Sequence, residues 1–197
     1  KAREAGIRVM IDGVYSHTGS DSLYFNKLGN YPSVGAYQSD RSSYYPWYTF
    51  HGSRDSYQCW WGFDTLPEVN EQNPVWQNDI ITGPYSVFSY WKRLGAMGIR
   101  LDVADELPDN VIELMRTAWK ADNPDRVLLG EVWEDATTKE SYGAKRQYAL
   151  GRGLDTVMNY PFKNAVLAFL QGHSTADELA NFLTSQRLNY PLPMYHA

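Results

Sequence analysis

Four short apolar runs, each ending in a polar residue and three of them at near-equal intervals, constrain this chain more than any other feature. "GIRVMIDGV" (6–14) ends near Asp12, "GIRLDV" (98–103) at Asp102, "RVLLGEVW" (126–133) at Glu131 and "LDTVMNY" (154–160) at Asn159. Runs of this length next to glycine read as buried strands. Asp102 to Glu131 is 29 residues and Glu131 to Asn159 is 28, room in each step for one strand and one crossover helix. Such alternation implies an α/β fold with a parallel sheet and right-handed crossovers. Asp12 to Asp102 is 90 residues, and the surplus reads as a subdomain at 13–74, rich in Gly, Ser, Tyr, Pro and Asn and without a sustained period.

Local signals fill in the rest. "KAREAG" reads as a last helical turn stopped at Gly6. The stretch from Pro74 to Gly98 reads as helix with an irregularity at Gly83-Pro84; Val87, Tyr90, Trp91 and Leu94 share its apolar face. Asn110 and Glu113 form a capping-box pattern ahead of a face made by Val111, Leu114, Met115 and Ala118. A short helix is expected between the third and fourth strands, then a helix over 162–170. Another begins at Thr175, where Glu178 completes a second capping box and Leu179, Phe182 and Leu183 are the apolar face.

Arg100 and Asp102 stand two residues apart on a strand, so they share a face. A guanidinium beside a carboxylate favours its ionised form. Taken alone, such a pair is as often structural as functional. Three carboxylates at one level of successive strands repel each other, and ligands bind at the carboxyl ends of parallel strands. The cluster therefore reads as a site.

Aromatic residues make up 15% of the chain, and many lie in the polar stretch "SSYYPWYTFHGSRDSYQCWWGF" (42–63). They suit either a loop packed by its own rings or sugar stacking. Paired carboxylates beside such rings suggest glycoside chemistry. Asp102, next to Arg100, fits the nucleophile. Glu131, with apolar neighbours and Trp133 on its own face, is expected to have a raised pKa, as a proton donor needs. His17 is placed to donate to a sugar hydroxyl, or is a surface loop histidine. A metal held by Asp12, His17, Asp102 and Glu131 is disfavoured by Arg100.

With 18 basic against 23 acidic residues the formal charge is −5, and no basic cluster suggests nucleic acid as a partner. Cys59 is the one cysteine and has no metal-type spacing. There is no membrane-spanning run and no signal-peptide pattern, so a cytoplasmic location is expected.

"DGVYSHTG", "GIRLDVADE" and "LLGEVW" resemble, in order and spacing, the first three conserved segments of the α-amylase family (glycoside hydrolase family 13). "LPEVN" (66–70) resembles the extra segment near the end of domain B, and "SSYYPWYTF" adds a likeness to the neopullulanase, cyclomaltodextrinase and maltogenic amylase group. The resemblance implies a partial (β/α)8 TIM barrel, about its third to sixth strands. Residues 1–12 and 75–197 are then barrel, and 13–74 an inserted domain B after the first of these strands. It implies a retaining enzyme on α-glucan oligosaccharides, with Asp102 the nucleophile and Glu131 the acid/base. Asp12, Tyr15, His17, Arg100, Asp105, Glu106 and Trp133 are implied substrate contacts. Asp105 stands where the group has Asn, so linkage preference stays open.

No cofactor is implied. Ser16 replaces the Asn that ligates calcium in many amylases, which puts calcium in doubt. The family's fourth segment, with its His-Asp pair and third catalytic carboxylate, is not in the sequence, so a piece like this is expected to be inactive alone. Half a barrel has open sheet edges, and in isolation it is expected to be unstable, rearranged or a homo-oligomer. The competing readings are a non-catalytic amylase-like binding or interaction domain and a metal-dependent barrel hydrolase.

Overall fold

The computed structural model describes residues 1–197. The chain forms two compact units, Lys1–Asp12 with Lys92–Ala197, and Gly13–Trp91.

The first unit is built on a four-stranded sheet. Strands β1 (Met10–Gly13), β2 (Gly98–Leu101), β3 (Val127–Gly130) and β6 (Thr156–Val157) lie in the order β1-β2-β3-β6; a separate hairpin comprises β4 (Glu140–Ser141) and β5 (Ala144–Lys145). β2 runs parallel to β3, with Arg100 beside Leu129 and Leu101 beside Gly130, and β3 runs parallel to β6. The order follows the chain without reversing. A doubly wound sheet would reverse at a switch point, whereas a barrel does not.

The core is carried by the two inner strands and one helix. Ile99, Leu101 and Leu128 are fully buried, as are Val111, Met115 and Trp119 of helix α3 (Asp109–Lys120). The buried positions Val111, Ile112, Met115 and Trp119 are displaced from the expected face, and Leu114 and Ala118 are only half-buried. No side chain caps α3: Pro108 occupies the cap, which leaves Asn110 inside the helix. Burying a Leu- or Ile-sized side chain of this core contributes about 2 kcal/mol.

Asp155 ties α3 to the sheet. It accepts from Arg116 Nη1 at 2.6 Å, Lys120 Nζ at 2.9 Å and the Leu128 backbone N–H at 2.8 Å. A Cβ on Gly130 would lie 2.4 Å from Leu154 Cδ1, so only glycine lets that leucine close against β3.

β1 departs from the expected buried strand. It is an edge of the sheet, and Met10 is 44% exposed. The fourth strand is also shorter than expected. It ends at Val157, and Asn159 instead caps helix α4 (Tyr160–Leu170), accepting from Phe162 N–H at 3.0 Å. Helix α5 (Ala176–Asn189) starts with the expected Thr175–Glu178 capping box. Its expected apolar face is not buried: Leu179 and Phe182 are half-buried and Leu183 is exposed. A short α6 (Leu192–Tyr195) follows. No helix is long and apolar enough to cross a membrane.

The second unit holds together with almost no regular structure. Antiparallel bridges join His17 to Glu68, Phe50 to Tyr57 and Cys59 to Pro67. Phe25 is fully buried, 4.9 Å from the Tyr48 ring and 4.7 Å from the Tyr57 ring. The aromatic loop is therefore packed largely on itself. Trp61 and Phe63 are exceptions, 63% and 55% exposed, and Trp61 stacks on Trp60 at 4.9 Å. The stretch read as one interrupted helix becomes α1 (Pro74–Gln77), a π turn (Asn78–Thr82), a break at Gly83, and α2 (Val87–Arg93). Asn73 caps α1 by accepting from the Val75 and Trp76 N–H groups.

Candidate active site

The site assembles where β1, β2 and β3 end. The residue after β2 is Asp102 and the residue after β3 is Glu131. The ladder continues one step past the strands, with Glu131 N–H donating to Leu101 O at 2.9 Å. Parallel register thus sets the two carboxylates side by side.

Arg100 joins all three acids. Its Nη1 lies 2.5 Å from Asp102 Oδ1 and 2.8 Å from Asp12 Oδ1, and its Nη2 lies 2.9 Å from Glu131 Oε2. A planar guanidinium can hold several carboxylates at once, which a lysine ammonium does less well. Burial tends to lower the Arg100 pKa, but its bonds to Asp102 and Asp12 and the nearby Glu131 charge raise it overall.

Glu131 is 8% exposed and collects further donors. Oε2 accepts from the Val103 N–H at 2.8 Å, and Oε1 accepts from Trp133 Nε1–H at 3.0 Å and from the Tyr160 hydroxyl at 3.2 Å. This corrects the expectation of a raised pKa. Burial is the largest single influence and does push it up. The Trp133 indole, the Val103 amide, the Arg100 charge and the Tyr160 hydroxyl outweigh it, and the pKa is lowered. Trp133, expected to make the surroundings of Glu131 apolar, turns its polar N–H edge to the acid.

Two of these contributors escaped the sequence reading. Val103 has φ 37°, a left-handed conformation that a β-branched residue adopts only under strain, and this backbone geometry accompanies the aim of its N–H at Glu131. Nothing in a valine announces that. Tyr160 was hidden because "VMNY" read as strand to its end; it is the first residue of α4, directly after the capping Asn159.

The remaining expected residues fall in two places. Asp105 and Glu106 lie in the 3₁₀ turn Ala104–Glu106 just after Asp102. Asp105 is bonded within the protein, to Lys139 Nζ at 2.9 Å and the Tyr148 hydroxyl at 2.8 Å. Tyr15 and His17 belong to the second unit. Tyr15 is buried, edge-on to Phe88 at 5.6 Å, and burial pushes its phenol up. His17 stacks on Trp60 at 5.2 Å, and its Nδ1 lies 3.0 Å from the Ser16 hydroxyl. No group of three or more His, Cys, Asp or Glu side chains is disposed to hold a metal ion.

An unreversed parallel sheet with acids clustered at its carboxyl-terminal edge defines part of a (β/α)8 barrel of the enzyme kind. The particular family follows from comparison: residues 1–190 match the alpha-amylase catalytic domain, and the chain belongs to that family. The amylopullulanase of Thermoanaerobacterium saccharolyticum is 34% identical over 225 residues, a match that covers 100% of this chain and 17% of that protein. The cyclomaltodextrinase of Thermoanaerobacter pseudethanolicus is 28% identical, covering 95% of this chain and 31% of that protein. Among solved structures, the cyclic alpha-maltosyl-(1→6)-maltose hydrolase of Arthrobacter globiformis superposes with a TM-score of 0.81 at 25% identity, covering 98% of this chain and 41% of that one. The chain thus spans less than half the length of each of these relatives.

Proposed function

We propose that this chain carries the nucleophile and the proton donor of a retaining glycosidase acting on α-1,4 bonds of starch-derived oligosaccharides, cyclodextrins or pullulan, with α-1,6 bonds as the second candidate. A single observation carries the reading: one guanidinium is bonded to both Asp102 and Glu131. That holds two carboxyls as close neighbours. Retaining pairs stand about 5 Å apart, whereas inverting pairs stand about 6.5–9.5 Å apart to admit a water.

In the proposed reaction an Asp102 oxygen attacks the anomeric carbon as the glycosidic bond breaks, and Glu131 gives its proton to the departing oxygen. Glu131 then takes a proton from water, whose oxygen attacks the same carbon and releases Asp102. Arg100 positions Asp102 and offsets its charge. Because the four donors on Glu131 favour its ionised form, substrate must displace some of them, Arg100 first, for the acid to bear its proton. Asp12 and Trp133 are proposed sugar contacts. The residue at the calcium-ligating position of the family, Ser16, is buried with its hydroxyl engaged by His17, which does not suit a calcium ligand.

The test is substitution in the protein that carries this chain. Asp102→Asn should lower kcat by at least about 10³-fold on every substrate. Glu131→Gln should cost about 10²- to 10⁴-fold on maltooligosaccharides, yet far less on an α-glycosyl fluoride, whose leaving group needs no proton. Equal losses on both substrates would rule out Glu131 as the donor. The sequence holds no counterpart of the family's third catalytic carboxylate, so residues 1–197 alone should not turn over. A non-catalytic domain would have no use for two intact acids on one arginine.

A further inference from the structure

The hairpin β4–β5 is not used by the reaction above. Glu140 pairs with Lys145 and Ser141 with Ala144, which leaves Tyr142-Gly143 as a two-residue turn. Both turn residues have positive φ, 52° and 74°. Turns of this kind take Asn, Asp or Gly at the first position, because a bulky side chain is strained there. Tyrosine occupies it here and is 78% exposed. Neither turn preference nor burial accounts for a tyrosine at that position. Its hydroxyl bonds the Glu106 carboxylate.

The hairpin is also fastened at both feet. Arg146 donates from Nε to Asp109 at 3.0 Å, from Nη1 to Asp105 O at 2.7 Å and Ser141 Oγ at 2.8 Å, and from Nη2 to Leu107 O. Lys139 holds the other foot to Asp105. The segment so gripped is the turn after Asp102, and its Ala104 N–H donates to Glu131 O at 3.1 Å. The tip tyrosine is thereby fixed to the same backbone that carries both acids.

We propose that Tyr142 is a specificity-determining residue that stacks on the glucose unit on the leaving-group side of the scissile bond, with Glu106 fixing the ring's orientation. The inference rests on the glycosidase reading above. The leaving-group side is proposed because the hairpin lies in the segment after β3, the strand that leads to the proposed proton donor, and a proton donor faces the departing sugar. A flat phenol ring with a polar tip suits a sugar's C–H face.

The experiment compares two substrates in the protein carrying this chain. A maltooligosaccharide places sugars on the leaving-group side, and α-maltosyl fluoride places only fluoride there. For Tyr142→Asn, the ratio of kcat/KM on the oligosaccharide to that on the fluoride should fall about tenfold. The melting temperature should hold or rise, since Asn suits the turn. Tyr142→Phe keeps the ring and loses the Glu106 bond, so its ratio should lie between the two. An unaltered ratio in Tyr142→Asn would overturn the proposal, and so would parallel losses on both substrates. An unsubstituted protein that cleaves neither substrate would instead defeat the glycosidase reading, and this inference with it.

Discussion

Arg100 Nη2 lies 2.9 Å from Glu131 Oε2 while Nη1 of the same side chain holds Asp102. One residue therefore influences both proposed catalytic groups. Arg100→Met keeps the length and removes the charge, and kcat should fall by at least about 10²-fold. A cation lowers a neighbouring carboxyl pKa, so its removal raises that of Glu131. The acid then stays protonated to higher pH, and the alkaline limb of kcat/KM should move upward. A limb that moves down in Arg100→Met would contradict the assignment.

Trp133 acts on Glu131 through its indole N–H at 3.0 Å. Trp133→Phe keeps a ring and deletes the donor. If the polar edge is what counts, the Glu131 pKa rises when that donor is lost. A pH-rate profile or carboxyl NMR titration reads it. Were the tryptophan acting as an apolar wall, the same substitution would leave that pKa where it was or lower it.

Asp155 fastens α3 to the sheet through Arg116 and Lys120, and its side chain is 18% exposed. Burial pushes its pKa up, but those two cations and the Leu128 amide leave it lowered from the ordinary 3.8. A carboxylate with a lowered folded-state pKa contributes stability above its unfolded value and loses it as pH falls through the folded one. Asp155→Asn should thus cost about 3 kcal/mol near neutrality, the low end of the range for breaking a buried pair. The gap between variant and wild type should narrow below about pH 4, as urea titrations across pH would show. A gap independent of pH would argue that packing, not charge, is what Asp155 supplies.

The strand ends were readable because two independent patterns coincide there. Apolar runs beside glycine mark the strands, and period-two spacing puts Arg100 and Asp102 on one face, where they are in contact at 2.5 Å. What stayed hidden depends on backbone direction or on polar sequence. The left-handed Val103 has no propensity signal. Tyr160 required knowing that the strand stops at Val157 and that Asn159 is a helix cap. The segment expected to be a short helix between the third and fourth strands holds the hairpin and a 3₁₀ turn, Tyr148–Leu150. It has no apolar period, and Tyr-Gly replaces the usual Asn-Gly signal, so nothing local marks the turn. The exposed faces of β1 and α5 could not be foreseen, since periodicity shows which side is apolar but not whether anything covers it.

The most direct measurement is to trap the covalent intermediate. A fluorinated α-glucosyl fluoride that forms the glycosyl-enzyme quickly and releases it slowly should be incubated with the active protein carrying this chain, followed by proteolysis and mass spectrometry. The account predicts one added sugar on the peptide containing Asp102, and none in Asp102→Asn. A sugar on any other carboxylate, or an active enzyme that never acquires one, would contradict it.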